Sequence, residues 1–254
     1  MTVLQAIFLA VVQGVTEFLP ISSSGHLVFF QHLFSTGEIP VFFDIALHVG
    51  TLVAVFFFFR YDLYRICTKE RKILFLLLVG TIPAGLVGIF FQSYLESLFS
   101  VPSLLGIFFI VNTLILFVTK WFPVGKKEMN QISILDACVI GCFQAAAIIP
   151  ALSRSGATIV GALGRGLQPE AAFRFSFLLS IPAIAGAFVL QIKDISSLSQ
   201  DVMMLSTLGA VIAGLVGYVS LILLQRVLQS RRLALFGWYT LFIGIVSFFL
   251  FNLS

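Results

Sequence analysis

Two stretches of this chain carry the same polar residues at the same spacing, 131 positions apart. In each, a glutamine stands nine residues before the first serine of a Ser-x-Ser-Gly sequence. The shared residues are Gln13, Ser22, Ser24 and Gly25 in the first stretch and Gln144, Ser153, Ser155 and Gly156 in the second. Polar side chains inside long apolar segments are costly and usually mark functional sites. Their repetition predicts a duplicated unit whose two copies build one site.

The residue types in these stretches are suited to binding an anion such as a diphosphate. Arg154 offers a planar, permanently charged fork that can contact two phosphate oxygens. The serines stand at two predicted helix breaks, where helix N-termini direct backbone N–H groups at anions. Two structural alternatives stay open: Arg154 could form an ion pair with Glu17, and each serine could simply cap a broken helix.

Two residues of the first stretch are candidates for proton transfer or nucleophilic attack. Glu17 lies four residues after Gln13, so their side chains share one helix face, and Glu17 is a candidate general base or acid. His26 could act as nucleophile or proton donor, although a lone histidine is also common in protein cores. Gln144 mirrors Gln13 and could orient a neighbouring group. Outside the two stretches, four ionisable residues are interpreted as structural, interfacial or helix-starting: His32, His48, Asp44 and Asp136.

The composition defines the class of protein that must position these residues. The 254 residues are 59% hydrophobic and only 10% charged, whereas a soluble domain carries about 25% charged residues. We therefore expect a polytopic helical membrane protein. The net charge of +4 comes from basic residues in short loops, so it reports on topology and does not indicate nucleic-acid binding. Cys67, Cys138 and Cys142 lack metal-ligand spacing and are expected to be free.

Six apolar runs are long enough to cross a bilayer, at about 41–59, 73–92, 101–120, 172–191, 206–225 and 234–252. Two further apolar regions, 3–34 and 133–164, are interrupted near their middles by Pro20-Ile-Ser-Ser-Ser-Gly and Pro150-Ala-Leu-Ser-Arg-Ser-Gly. Proline and glycine break a helix there, and serines can satisfy the freed backbone groups. We interpret both regions as re-entrant helical hairpins; two ordinary kinked spans are the alternative.

The basic residues favour the re-entrant interpretation. If the hairpins do not cross, 13 of the 15 Lys and Arg residues fall on one face, which the positive-inside rule assigns to the cytoplasm. They are Arg60, Arg65, Lys69, Arg71, Lys72, Lys120, Lys126, Lys127, Arg165, Arg174, Arg226, Arg231 and Arg232. The other two are Arg154, within the motif, and Lys193, in an opposite loop. Both termini would then face outward.

The predicted fold is an all-α polytopic membrane protein with six transmembrane helices and two re-entrant helical hairpins in an inverted-topology repeat. One integral membrane domain, 1–254, would comprise a first repeat, 1–131, and a second, 132–254. Three crossings invert the second repeat, so the hairpin tips can meet near the bilayer midplane. The recurrence of Ala84-Gly-Leu-Val-Gly as Ala213-Gly-Leu-Val-Gly supports the duplication.

The motifs resemble those of the BacA-type undecaprenyl-pyrophosphate phosphatases of bacteria. The first is Gln13-Gly-Val-Thr-Glu-Phe-Leu-Pro-Ile-Ser-Ser-Ser-Gly-His, and the second is Pro150-Ala-Leu-Ser-Arg-Ser-Gly-Ala-Thr, preceded by Gly141-Cys-Phe-Gln. The resemblance covers the whole chain. Two positions depart from the family pattern: Gln13 stands where many members have glutamate, and Ala151 stands where the second motif has glycine.

The resemblance implies a membrane phosphatase that converts undecaprenyl diphosphate to undecaprenyl phosphate and phosphate, recycling the carrier for cell-wall synthesis. Arg154 and the hairpin N–H groups would bind the phosphates, together with Gln13, Ser22, Ser24, Gly25, Gln144, Ser153, Ser155 and Gly156. His26 or Ser23 would attack the terminal phosphorus, with Glu17 managing protons; attack by water activated by Glu17 is equally open. The alternative is a lipid flippase or secondary transporter built on inverted repeats.

The expected partners are a polyprenyl diphosphate lipid and the bilayer, without nucleic acid; a homo-oligomer is compatible with the sequence. No cofactor is firmly implied. One Mg²⁺ or Ca²⁺ bridging Glu17 and the substrate is compatible with the residues, whereas a two-metal site lacks carboxylates. The expected location is the bacterial cytoplasmic membrane, with the catalytic cavity open outward because the first hairpin enters from that face.

Overall fold

The computed structural model describes residues 1–34, 41–191 and 199–253. These ranges hold twelve α-helices and three short 3₁₀ turns. In chain order the helices are α1 Val3–Phe18, α2 Ser23–Leu33, α3 Val41–Phe58, α4 Arg60–Thr68, α5 Arg71–Phe90, α6 Gln92–Phe99, α7 Leu105–Val118, α8 Ile134–Ala146, α9 Arg154–Gly164, α10 Pro169–Gln191, α11 Gln200–Gln229 and α12 Ala234–Asn252. Within the same ranges, β pairing is limited to a bridge between Lys127 and Leu167.

Six helical stretches of the described chain are long and apolar enough to cross a bilayer. They are Val41–Phe58, Arg71–Phe90, Pro102–Trp121, Pro169–Val189, Gln200–Gln229 and Ala234–Asn252. Each overlaps one predicted span, so the prediction of six apolar crossings is confirmed. The chain is an all-helical, multi-pass membrane protein. Lys193, predicted to lie in an opposite loop, falls outside the described residues.

Three helical features go beyond the predicted spans. The basic connection after α3 forms a helix of its own, α4, which buries only Ile66. The connection after α5 forms α6, which likewise buries only Leu95. Helix α11, Gln200–Gln229, is 30 residues long and extends past both ends of the predicted run, starting at a cap formed by Ser199. Each connecting helix also packs one partly buried residue against the core, Leu63 in α4 and Phe99 in α6. Hydropathy alone does not detect such short docked helices.

Both segments that carry a serine motif are broken, as the sequence predicts. Pro20, between α1 and α2, lacks the N–H that a continuing helix needs. Ser22 caps α2 by accepting a hydrogen bond from the N–H of Gly25 at 3.3 Å. Ser153 caps α9 in the same way, accepting from the N–H of Gly156 at 3.1 Å. These two serines therefore have the capping role that the sequence left open.

Each break contains a residue in the left-handed backbone region. Ser22 has φ 69° and Ala151 has φ 58°. An L-residue pays roughly 1–2 kcal/mol in this region, whereas glycine adopts it freely. A glycine at position 151, as in the motif that this segment resembles, would be free of this cost. The conformation is thus maintained by the packing around the breaks.

The two breaks touch each other through matching contacts. A Cβ built on Gly25 would lie 2.8 Å from Cα of Ala151, so only glycine fits there. A Cβ built on Gly156 would lie 3.1 Å from Cβ of Pro20. Gly25 and Gly156 occupy equivalent positions, 131 residues apart, and so do Pro20 and Ala151. The two copies of the motif therefore meet through equivalent residues.

The buried side chain of Asn112 joins the two breaks from α7. Its Nδ2 donates to the carbonyl of Pro20 at 3.1 Å, and its Oδ1 accepts from the N–H of Ser153 at 3.0 Å. Asn112 is fully buried. Because chain breaks in an apolar protein free backbone polar groups, one amide satisfies a group on each side.

The halves of the chain pack against each other crosswise. Helices α1 and α3 of the first half pack against α11, whereas α8 and α10 of the second half pack against α5. Small residues allow the approach: a Cβ on Gly50 of α3 would overlap the carbonyl of Ala210, and one on Gly141 of α8 would overlap that of Gly80. Each broken segment is thus supported by a span from the other half.

We predict that Asn112→Ala destabilises the protein strongly. The change leaves the carbonyl of Pro20 and the N–H of Ser153 without partners, at about 1–3 kcal/mol for each buried group. Thermal unfolding in mild detergent measures the loss. Asn252→Ala is a matched control, since the exposed Asn252 also donates to two backbone carbonyls, those of Ser103 and Phe248. Equal shifts in the two variants would contradict a joining role for Asn112.

Candidate active site

Glu17 is the centre of a buried polar cluster at the end of α1. Its Oε1 forms an ion pair with Nη2 of Arg154, the first residue of α9. Its Oε2 accepts hydrogen bonds from Ser23 Oγ at 2.6 Å and from Gln13 Nε2 at 3.1 Å. The carboxylate is only 8% exposed, so these donors and the guanidinium replace the water that would otherwise solvate it.

Arg154 retains hydrogen-bonding capacity after it pairs with Glu17. Among the described residues its Nη1 is buried without a hydrogen-bond partner. An unpartnered guanidinium nitrogen in a buried site is costly. A bound anion would satisfy it, and the position of Arg154 at the N-terminus of α9 adds the helix dipole to its charge.

These residues open onto a cavity of about 370 Å³. Its polar wall consists of Glu17, Ser22, Ser23, Ser24, Asp44, His48, Ser153 and Arg154. The remaining wall is mainly aliphatic and aromatic and includes Ile148, Leu152, Ile184 and Phe188. A cavity lined by charged and hydroxyl groups together with apolar side chains suits the phosphorylated head of an amphiphile.

His26 is held away from this cavity. Its Nδ1 lies 2.6 Å from the carbonyl oxygen of Ser22, and its Nε2 lies 2.8 Å from the hydroxyl of Tyr239 on α12. A carbonyl only accepts, so Nδ1 carries the proton, and Nε2 of the neutral ring accepts from Tyr239. The ring is 1% exposed and packs edge-on against Phe109. In this arrangement both ring nitrogens are engaged, and His26 orients the first turn of α2.

The other predicted site residues lie in three places: the cavity, the contact between the two breaks, and a neighbouring apolar groove. Ser24 lines the cavity, with its Oγ 3.3 Å from that of Ser22. Ser155 is buried, with its Oγ 3.0 Å from that of Ser153 and 3.3 Å from the carbonyl of Leu19, whereas Gly25 and Gly156 form the contact between the breaks. Gln144 is buried and lines a neighbouring apolar groove, not the polar cavity.

His48 and Asp44, which the sequence alone does not mark as functional, also belong to this site. His48 Nε2 lies 3.8 Å from Glu17 Oε2. Its Nδ1 lies 3.0 Å from the backbone carbonyl of Asp44 and 3.8 Å from Asp44 Oδ2. Because Nδ1 donates to the carbonyl, Nε2 is the ring nitrogen near Glu17 and the one that could exchange a proton with it. The missed signal is that His48 is an ionisable residue inside an apolar span.

Comparison with known proteins identifies the family. The family described as "Bacitracin resistance protein BacA" matches residues 6–246. "Undecaprenyl-diphosphatase 4" of Bacillus thuringiensis (strain Al Hakam) is 42% identical, covering 96% of this chain and 95% of that protein. "Undecaprenyl-diphosphatase" of Carboxydothermus hydrogenoformans is 42% identical, covering 95% and 94%. That of Methanobrevibacter smithii is 39% identical, covering 98% and 97%. The chain belongs to the BacA family.

Gln13, which stands where many BacA-type sequences have glutamate, has a defined contact in this chain. The side-chain amide of Gln13 donates a hydrogen bond to Glu17 Oε2. A glutamate at position 13 would instead place a second negative charge beside Glu17.

No described group of three or more His, Cys, Asp or Glu is arranged to hold a metal ion. A single Mg²⁺ or Ca²⁺ bridging Glu17 and a diphosphate stays a prediction, with Asp44 as the other carboxylate of the cavity wall.

We predict that Glu17→Gln lowers thermal stability and that added inorganic pyrophosphate restores much of it. The variant leaves the charge of Arg154 uncompensated, which costs about 3–5 kcal/mol in a buried pair. An anion that enters the cavity would replace the lost carboxylate charge. Thermal shift in detergent, with and without pyrophosphate, is the measurement.

Asp62→Asn provides a matched control for this experiment. Asp62 pairs with Arg174 away from the cavity, and the Arg174 side chain is also partly buried. Pyrophosphate should leave this variant unstabilised. If Glu17→Gln gained no more from pyrophosphate than Asp62→Asn, the Arg154–Glu17 pair would be structural only.

Proposed function

We propose that this protein hydrolyses the terminal phosphate of undecaprenyl diphosphate, giving undecaprenyl phosphate and inorganic phosphate. Family membership and the names of the relatives support the reaction. The observation that carries the proposal for this chain is the contact of Ser23, Glu17 and Arg154 in one cavity. A hydroxyl, its base and a phosphate-binding guanidinium are the groups that such a displacement requires.

Ser23 is the proposed nucleophile and Glu17 its base. Ser23 Oγ already donates to Glu17 at 2.6 Å, within the range expected for a nucleophile and its base. As Ser23 Oγ attacks the terminal phosphorus, its proton passes to Glu17, and the bond from that phosphorus to the bridging oxygen breaks. Glu17 gives the proton to the departing polyprenyl phosphate. Arg154 and the N–H groups at the start of α9 stabilise the charge on the transferred group.

Hydrolysis of the phosphoserine completes the cycle. Glu17 takes a proton from the attacking water, the bond between Ser23 Oγ and phosphorus breaks, and the proton returns to Ser23. His48 Nε2, 3.8 Å from Glu17 Oε2, lies close enough to exchange this proton through a small movement. His26 contributes by orienting α2 rather than by attack, because its two nitrogens are engaged by Ser22 and Tyr239.

The two broken segments are proposed to be re-entrant hairpins of an inverted repeat. Helices α1 and α8 have 16 and 13 residues, or roughly 24 and 20 Å of rise, against a hydrocarbon core of about 30 Å. A shift of 131 positions brings the bounds of α2 onto those of α9. The matching contacts between the breaks and the crosswise packing of the halves support the same arrangement.

The cavity is proposed to open on the outer face of the cytoplasmic membrane. On α3 the cavity residues Asp44 and His48 lie near the start of the helix, and the basic residue Arg60 follows its end. On α10 the basic residue Arg174 lies near the start, and Ile184, Ala187 and Phe188 border the cavity near the end. The cavity is therefore at the opposite end of both helices from the basic residues that the positive-inside rule assigns to the cytoplasm.

We predict that Ser23→Ala lowers phosphate release from undecaprenyl diphosphate by at least about a thousandfold, as expected for loss of a nucleophile. Ser24→Ala removes a hydroxyl from the same cavity and should lose far less. Purified wild-type protein in detergent, quenched with acid during turnover, should yield a phosphopeptide that contains Ser23.

Two other outcomes would lead to different mechanisms. Substantial activity of Ser23→Ala, without a phosphopeptide from the wild type, would favour attack by water activated by Glu17. Absence of phosphate release from the wild type, with Mg²⁺ or Ca²⁺ added, would favour the flippase or transporter. Hydrolysis does not need a sealed membrane, whereas transport does.

We also predict that His48→Ala lowers kcat by about tenfold to a hundredfold through the loss of proton exchange with Glu17. His32→Ala is the matched control, because His32 Nδ1 also donates to a carbonyl four residues earlier, that of Val28 at 2.9 Å. His32 does not border the cavity and should tolerate the change. Equal rates for the two variants would remove His48 from the mechanism.

A further inference from the structure

Tyr239 on α12 makes a hydrogen bond for which the proposed reaction steps have no use. Its hydroxyl lies 2.8 Å from His26 Nε2, although the two residues are 213 positions apart. Their rings are stacked, with centroids 5.6 Å apart and an angle of 7° between the ring planes. His26 belongs to α2, which carries Ser23, whereas no described residue of α12 lines the polar cavity. The contact therefore connects a helix outside the cavity to the segment that holds the proposed nucleophile.

The contact determines how the ring of His26 is held. Nδ1 lies 2.6 Å from the carbonyl oxygen of Ser22 and donates to it, because a carbonyl oxygen only accepts. Nε2 of the neutral ring is then an acceptor, and the Tyr239 hydroxyl is the donor beside it. The ring is 1% exposed, so water has little access to Nε2. Tyr239 thus satisfies a buried acceptor and fixes the ring plane.

Ser22 is the residue whose backbone the His26 ring restrains. Its φ of 69° lies in the left-handed region, which an L-residue other than glycine adopts only when surrounding contacts hold it there. Its carbonyl accepts two hydrogen bonds from His26, one from the backbone N–H at 3.3 Å and one from Nδ1 at 2.6 Å. The bond from the ring is the shorter of the two. The orientation of the ring therefore contributes directly to the conformation of Ser22.

The conformation of Ser22 in turn decides where the next side chain points. Ser23 is the first residue of α2, and its Oγ donates to Glu17 Oε2 on α1 at 2.6 Å, back across the break. A backbone rotation at Ser22 would move Ser23 Oγ away from Glu17. A displacement of about 1 Å from the reactive geometry can cost roughly a hundredfold in rate. The contacts thus form a series from Tyr239 through His26 and Ser22 to Ser23.

Helix α12 is itself held in place beside Tyr239. The neighbouring Thr240 has its Oγ1 2.8 Å from Oγ1 of Thr113 on α7, and both threonines are buried. A Cβ built on Gly237 would lie 2.6 Å from the ring of Phe117, also on α7, so the two helices are in close contact. The position of the Tyr239 hydroxyl is therefore set by the packing of α12 on α7.

We propose that Tyr239 is a positioning residue for the hydrolysis of the diphosphate. Through its hydrogen bond to His26 it keeps Ser22 in the left-handed conformation and Ser23 Oγ against Glu17. Tyr239 does not line the cavity, so it affects the attack by Ser23 and not the binding of the substrate. This inference rests on the proposed function and adds to it a residue of α12 that lies outside both sequence motifs.

Tyr239→Phe removes the hydroxyl and keeps the stacked ring. With undecaprenyl diphosphate in detergent, we expect kcat and the single-turnover rate of Ser23 phosphorylation to fall by about tenfold to a hundredfold. KM should stay within about twofold of wild type. Tyr218→Phe is the matched control and should keep wild-type kinetics. Tyr218, on α11, is 37% exposed, against 41% for Tyr239, and its ring also packs against an aromatic neighbour, Phe58.

Rescue and a double variant test whether Tyr239 acts through His26. The residue 4-aminophenylalanine at position 239 donates an N–H group in place of the hydroxyl and should restore most of kcat. His26→Asn keeps an N–H donor for the Ser22 carbonyl and lacks Nε2, so adding Tyr239→Phe should lower its kcat by less than about twofold. Additive losses in the double variant would overturn the inference. So would a KM in Tyr239→Phe that rises as much as kcat falls, because the change would then distort the cavity as a whole.

A measurement without turnover separates this inference from the proposed function. In protein labelled with ¹⁵N-histidine, the NMR signals of His26 should show the ring protonated at Nδ1. The Nε2 signal should move in Tyr239→Phe and stay unchanged in Tyr218→Phe. An unchanged signal in Tyr239→Phe would refute the role of Tyr239, whatever the activity. A moved signal in a protein that hydrolyses no diphosphate would instead refute the proposed reaction and leave the support of α2 by Tyr239 intact.

Discussion

The arrangement of this protein depends on one requirement: a carboxylate and a guanidinium must meet inside a largely apolar molecule. Neither Glu17 nor Arg154 is stable in such surroundings alone, and they are 137 residues apart in sequence. Each is carried by a broken helical segment, and Asn112 joins the two breaks by hydrogen bonds to both backbones. The glycine contacts at Gly25 and Gly156 bring the breaks into register. Disturbing any of these contacts would expose a charge or a backbone group to an apolar environment.

The two copies of the motif share a framework, and one of the positions at which they differ is the first residue of the second helix. In both, the serine that caps the second helix uses its hydroxyl on the N–H three residues later. The next residue is the first of the helix, and its side chain is free of the cap. This residue is Ser23 in the first copy and Arg154 in the second, 131 positions apart. Residues at equivalent positions of the two copies, one a hydroxyl and one a guanidinium, therefore contact the two different oxygens of Glu17.

Much of the fold could be predicted from the sequence, because long apolar runs and helix breaks at proline are local signals. The six spans and both breaks are confirmed, as is the start of α8, where Asp136 and Ser133 form a capping box. The contacts within the site could not be predicted from the sequence, because they join residues that are far apart in the chain. Asn112 lies in an ordinary apolar run, and its two partners are 92 and 41 residues away. His48 was interpreted as structural because a short motif does not reveal which face of α3 meets α1. The orientation of His26 depends on Tyr239, 213 residues later.

The apolar space beside Arg154, lined by residues of α5 and α10, also affects how the concentration of a lipid ligand should be expressed for this protein. Gly186 is exposed and lines the same apolar space as Arg154, so a lipid that entered beside Gly186 would reach Arg154 from within the membrane. Its encounter rate then depends on its mole fraction among the surrounding lipids and on lateral diffusion in two dimensions. In detergent the same number of ligand molecules is spread over the total micellar surface. Apparent affinities would therefore change with the amount of detergent, even if every contact in the site stayed the same.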